Sequence, residues 1–328
     1  MTNNIRSDRY KWIDWMKTIG MYFIVLGHFF TYGYKYVYVF SVAVFFLISG
    51  FLSKKETDSK LFWMKLWYNL IVPMFLICII YFIYNSIDIP IKHVFSLYRI
   101  KFYFIYSLLG YQSGLGTLWF VYTLALLKIM YQFSPNKVSN ALLLIASLAG
   151  AYVYNNSSFI QNHSILYNPN AIANVLVAYP FFIIGVYLRK FKVIINNYNN
   201  LPSQIISLLL CLIIIFICGH YNGEVWMYHV GYGNNILLFL IGGISGSIAI
   251  FLISKIVSGY SFNWVLLISK GSIIILGFHV YIIWHLRKYI SSPSYIDFIL
   301  TLLILIVFIP LIYFSEKYCP ILLGKYRK

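Results

Sequence analysis

Residues 208–218 read LLLCLIIIFIC, and comparable apolar runs recur along the whole chain. Inside a bilayer every backbone N–H and C=O must be paired within the protein, so only helices and closed barrels cross it. Barrel strands alternate apolar and polar residues with period two. These runs do not, so they are read as helices. A bilayer core takes about 20 residues of helix. Spans are predicted over 13–31, 37–52, 70–86, 117–133, 140–155, 171–188, 204–219, 236–254, 264–285 and 297–315. Only 10% of the residues are charged, against roughly 25% in soluble domains. The expected fold is an all-α integral membrane protein of about ten transmembrane helices. It forms a single polytopic domain over 1–328, with no separate soluble domain.

Orientation follows from the basic residues between spans. With a cytosolic N-terminus, the inner segments hold 16 of the 25 Lys and Arg: Arg6, Arg9, Lys11, Lys54, Lys55, Lys60, Lys65, Lys137, Arg189, Lys190, Lys192, Lys255, Lys317, Lys325, Arg327 and Lys328. The outer segments hold Lys35, Lys92, Arg99, Lys101, Arg287 and Lys288. The bias predicts both termini inside. A cationic inner face suits anionic lipid, which accounts for the net charge of +17 without nucleic acid. The outer stretch 87–116 mixes apolar and basic residues as an interfacial helix does.

Several chemistries are excluded. No P-loop, H-E-x-x-H or G-x-S-x-G occurs. Asp88, Glu224 and Asp297 fall in separate outer loops, which gives no carboxylate pair for glycoside hydrolysis. The four cysteines form no C-x-x-C pair, and no metal site is expected. Sequons beginning at Asn155, Asn156 and Asn162 are read as chance matches in an Asn-rich chain. The first segment lacks a small-residue cleavage site and is read as a span, not a removable leader.

That first span carries Asp14, Lys17 and His28. Ionisable groups inside a membrane are expensive and mark function by default. Lys17 and His28 lie roughly 20° from alignment on a helix and about 16 Å apart along it. Asp14 sits one turn below Lys17. It either caps the helix start, where the helix dipole favours a carboxylate, or pairs with Lys17. Imidazole is the usual general base near neutral pH, so His28 is the candidate base for an attacking hydroxyl. Ser49 and Gly50 are read as a close helix-packing site. Lys270 and His279, nine apart, fall on opposite helix faces unless a kink intervenes.

The stretch IDWMKTIGMYFIVLGH resembles the first span of the membrane-bound acyltransferase-3 superfamily, with a basic residue, ten intervening residues and a histidine. Its Asp-x-x-Lys and Leu-Gly-His elements resemble the fucose 4-O-acetylase-like branch. FSVAVFFLISGFL, LFWMKLWYNLIVPMF, TLWFVYTLALL, YPFFIIGVYLRKF and ISKGSIIILGFHVYII resemble later family segments, in the family's order. The resemblance implies an O-acyltransferase of a bacterial inner or plasma membrane. It would move an acyl group, typically acetyl, from cytosolic acyl-CoA to a hydroxyl of a cell-surface polysaccharide or lipid-linked sugar. It implies acetyl-CoA as donor substrate, no metal, and His28 as catalytic residue. Lys17, Asp14, Lys60, Lys65, Trp119 and His279 are implied in substrate binding or support, with Lys60 and Lys65 toward the nucleotide phosphates. Direct transfer and an acyl-histidine relay both fit. The alternative function is a transporter or flippase of lipid-linked sugars, for which Gly242, Gly243 and Gly246 would interrupt the eighth span.

Overall fold

The computed structural model describes residues 10–87, 94–162, 170–291 and 293–325, which form a helical bundle with no strand among them. Its main helices are α1 (Lys11–His28), α2 (Ser41–Leu52), α3 (Ser59–Tyr84), α4 (Trp119–Phe133), α5 (Lys137–Asn156), α6 (Val175–Leu188), α7 (Leu201–Tyr221), α8 (Ile236–Val257), α9 (Asn263–Lys270), α10 (Ser272–Leu286) and α11 (Asp297–Tyr318). Arg6, Arg9, Lys92, Arg327 and Lys328 of the charge count, and the Asp88 carboxylate, lie outside the described residues, as do 88–93 of the outer basic stretch and residues 163–169, into which the Asn162 sequon runs.

The bundle is built around α2 and α6. Ten of the fourteen α6 residues are buried, as expected for a helix that is apolar on every side. The two helices touch backbone to backbone. A Cβ on Gly50 would lie 1.9 Å from the Phe182 carbonyl oxygen, and one on Gly185 would lie 2.0 Å from that of Leu47. Gly50, of the Ser49-Gly50 pair, is therefore a packing site of the kind small residues make between membrane helices. α8 packs beside this pair through its glycines, which receive Val39, Phe181 and Phe40. They do not interrupt it: α8 is one continuous helix. Outer helices look different. In α7 only 22% of the apolar window is buried, against 61% for Tyr34–Leu52, so α7 turns most of its apolar surface outward.

Two helices deviate from regularity where the sequence requires it. Asp58 caps α3, its Oδ1 accepting from Lys60 N at 2.8 Å. A π turn at Trp67–Ile71 then widens the helix just ahead of Pro73, whose missing N–H breaks the regular ladder. The expected ninth span is broken: α9 and α10 meet at 83°. Gly271 sits at the bend, where a Cβ would lie 2.2 Å from the Ile312 side chain of α11.

Among the described residues six helical stretches are long and apolar enough to cross a membrane, or seven with the bent pair taken as one. Three expected spans are shorter or more charged than that. α1 carries Lys11, Asp14 and Lys17, α4 has 15 residues and α6 has 14. The backbone contact at Gly50 makes a sharp prediction. Gly50→Ala should cost about 1–3 kcal/mol or more through overpacking, read as a lowered thermal midpoint in detergent, whereas Ser49→Ala should leave the midpoint nearly unchanged.

Candidate active site

α1 ends on His28, and α10 brings His279 against it. The rings meet edge to face, with centroids 4.7 Å apart. Three hydrogen bonds order the pair. His279 Nδ1 lies 2.7 Å from the Ile275 carbonyl oxygen, His279 Nε2 lies 3.2 Å from His28 Nδ1, and His28 Nδ1 lies 2.8 Å from the Ile24 carbonyl oxygen. A carbonyl only accepts, so each Nδ1 carries a proton. His279 Nε2 then presents its lone pair to the His28 Nδ1–H. In the neutral imidazole this leaves His28 Nε2 as the basic nitrogen, a tautomer assigned from the network.

His28 is half-buried and lines a cavity of about 470 Å³, together with Tyr38, Tyr81, Thr117, Trp119, Trp226, Tyr228 and Trp284. Trp119 is in this wall and is buried. His279 is not: it is fully buried behind His28, so it touches the other imidazole and not the cavity. Two hydroxyls fix α10 beside it. Tyr81 donates to the Gly277 carbonyl, and Thr117 Oγ1 donates to the Leu276 carbonyl at 2.5 Å.

The His28 end of α1 is stapled by Arg287, which follows α10. Its Nη2 donates to the Phe29 carbonyl at 2.5 Å and to Asp297 Oδ2 at 2.8 Å, and its Nη1 to the Ser291 carbonyl at 3.0 Å. The guanidinium also stands 4.9 Å from the centre of the Phe29 ring. Asp297 is completely buried. The residue after His28 is thus tied to the helix that carries His279. The charge count had placed Arg287 in the outer segment that leads to Asp297, without pairing the two.

At the other end of α1 lies a second cavity of about 550 Å³, lined by Asp14, Lys17, Lys54, Arg189, Lys192, Ser269 and Lys270. Asp14 lies in the first turn of α1, where the helix dipole favours a carboxylate, but it makes no cap bond: α1 starts from Tyr10, and Asp14 Oδ1 accepts from Ser269 Oγ of α9 at 2.7 Å. Arg189 donates to the Ser53 and Leu52 carbonyls at 2.8 and 3.2 Å, closing the end of α2. Lys270 pairs with Glu316 at 2.6 Å. The bend at Gly271 sends Lys270 to this basic cavity and His279 to the other end.

The two lysines expected at nucleotide phosphates fare differently. Lys60 is exposed on the first turn of α3 and lines neither cavity. Lys65 lines an adjoining pocket with Lys54 and Lys128, paired to Glu56 at 2.7 Å. Lys54, Arg189 and Lys192 line the basic cavity with Lys17. Sequence offered only their inner-segment charge as a signal.

Removing the Arg287 side chain leaves the Asp297 carboxylate buried without its cation, a loss of about 3–5 kcal/mol for a buried pair. Arg287→Ala should therefore lower the thermal midpoint far more than removal of the exposed Lys288 next to it.

Residues 10–315, from the start of α1 almost to the end of α11, match the family described as an acyltransferase domain. No curated protein and no solved structure matches the chain. A match over nearly the whole bundle, enclosing both cavities and the histidine pair, means that the chain belongs to the acyltransferase-3 family of membrane acyltransferases.

Proposed function

We propose that the protein is an O-acyltransferase of the fucose 4-O-acetylase-like branch, moving acetyl from cytosolic acetyl-CoA to a glycan hydroxyl outside a bacterial inner membrane. One observation carries this reading: His28, its Nδ1 engaged by the Ile24 carbonyl and His279, lines an aromatic cavity, while Lys17 on the same helix lines a basic one. The basic cavity suits the phosphates of CoA, held by Lys17, Lys54, Arg189 and Lys192. The two ends lie about 16 Å apart along α1, a length that an extended pantetheine arm spans.

The chemistry proposed is direct transfer. An acceptor hydroxyl donates to His28 Nε2, its oxygen attacks the thioester carbonyl, and the proton passes to Nε2 as the C–O bond forms. The tetrahedral adduct then collapses, the C–S bond breaks, and His28 returns the proton to the leaving CoA sulfur. His279 plays the part of the third group in a nucleophile–base–orienter arrangement. Its Nε2 accepts from Nδ1–H of His28 throughout, which holds the ring and favours the imidazolium when it forms.

The topology that goes with this reading has ten spans, with α9 and α10 as one broken span and both termini in the cytosol. The short helices α4 and α6 and the charged α1 are then enclosed largely by protein, where short or polar segments are tolerated. The support is the charge bias of the connecting segments and the gathering of Lys17, Lys54, Arg189 and Lys192 around one cavity. A cysteine replacing Lys54 should react with an impermeant thiol reagent only in inverted vesicles; labelling from the outer side would reverse the topology.

Purified protein given labelled acetyl-CoA and a glycan should lose transfer by about 10²–10⁴-fold in His28→Ala, the usual weight of general-base catalysis. His279→Gln should lose less, because the base remains. Undiminished transfer by His28→Ala would remove the base from the mechanism.

A further inference from the structure

The connection between α7 and α8, residues 222–235, is held by four asparagine side chains. Asn222 is fully buried, its Nδ2 donating to the Tyr232 carbonyl and its Oδ1 accepting from Asn235 N, both at 2.7 Å. Val230 adopts a left-handed backbone (φ 59°) that costs a branched residue energy. It is held from both sides: Asn174 Oδ1 accepts its N–H at 3.2 Å and Asn155 Nδ2 donates to its carbonyl at 2.8 Å. Asn156 Nδ2 donates to the Tyr232 hydroxyl at 2.9 Å. Two of the sequon asparagines are thus engaged inside the fold. Trp226 and Gly231 exchange both backbone hydrogen bonds at 3.0 Å.

This scaffold presents Val225, Trp226, Met227 and Tyr228 to the site, and the Trp226 indole is the largest of them. Trp226 lines the cavity that holds His28, with its ring 5.1 Å from Tyr38, 6.1 Å from Phe30 and 5.6 Å from Tyr228. Its Nε1 donates to Glu224 Oε2 at 3.0 Å, and Glu224 Oε1 accepts from the Tyr34 hydroxyl. The indole plane is therefore set by a carboxylate that is itself held. Among the described residues, none lining this cavity is Lys, Arg, Asp or Glu. A charged ring would lose its hydration here without a counter-ion, which is costly. An uncharged ring with an apolar face and a hydroxyl edge is matched: the face rests on the aromatic wall, and a hydroxyl reaches the imidazole.

We infer that Trp226, held by the loop 222–235, is the acceptor-docking and specificity-determining residue, and that the ring it takes is a neutral pyranose. Acidic sugars are disfavoured in this cavity. The inference rests on the proposed acyl transfer and adds to it the ring class of the acceptor and the residue that reads it.

The test uses the full-length protein in detergent with labelled acetyl-CoA, and acceptors in matched pairs: methyl hexopyranosides and the corresponding methyl hexuronides. Wild type should acetylate a neutral member in preference to its uronide. Trp226→Ala should raise the acceptor KM roughly tenfold or more, the scale of one lost ring contact, with the KM for acetyl-CoA moving less than twofold. Trp226→Phe should recover most of the loss, because a flat ring is what is needed. An unchanged acceptor KM in Trp226→Ala would overturn the docking role, as would an equal rise in both KM values. Equal use of uronide and neutral sugar would overturn the ring class. If wild type acetylates no sugar, the proposed function itself fails, a result distinct from an active enzyme indifferent to Trp226.

Discussion

The His28 Nδ1–H is engaged, and the candidate site is arranged around that fact. An imidazole has two nitrogens, and the hydrogen bond at one decides what the other can do. Ile24 and His279 share the Nδ1–H of His28, so Nε2 is the nitrogen left to accept a proton. His279 can accept only because its own proton is held by Ile275. Tyr81 and Thr117 pin the turn of α10 that holds it, and Arg287 ties the end of α10 to the residue after His28. The pair is thus fixed from below, beside and above.

The two ends of α1 differ in chemistry because the elements around them differ. At the Lys17 end, the terminus of α2 and the segment after α6 converge, both rich in Lys and Arg. Asp14 contributes one carboxylate to this cationic surround and is bonded to Ser269. At the His28 end the walls are aromatic, from α4, α10 and the α7–α8 connection. The α2–α6 backbone contact lets both ends share one narrow bundle. Such an arrangement suits a donor that enters as an anion at one face and an acceptor that enters as an uncharged ring at the other, as proposed.

Helicity, the polar stripe and the place of each main helix were legible in the sequence, because period and apolar run length report them directly. The Lys17–His28 separation needed only helix geometry. His279 was legible as a motif residue, but its partner was not: 251 positions separate it from His28, and only the α9–α10 bend brings them together. Arg287 and Asp297 looked like stray loop charges, since nothing in their ten-residue spacing reveals that a loop folds one onto the other. Lys60 lies away from both cavities, because a charge near a helix start carries no sign of which side of that helix it takes. Trp226 sits in a connection without periodicity, and its placement rests on asparagines from two other segments and one of its own.

The most direct measurement is a structure of the protein with a non-transferable acetyl-CoA analogue. The account predicts the nucleotide phosphates among Lys17, Lys54, Arg189 and Lys192. It places the acyl carbonyl carbon beside His28 Nε2, with room between them for one hydroxyl oxygen in a near-attack position of about 3–3.5 Å. A nucleotide bound away from the basic cavity, or an acyl group that never reaches the aromatic one, would contradict it.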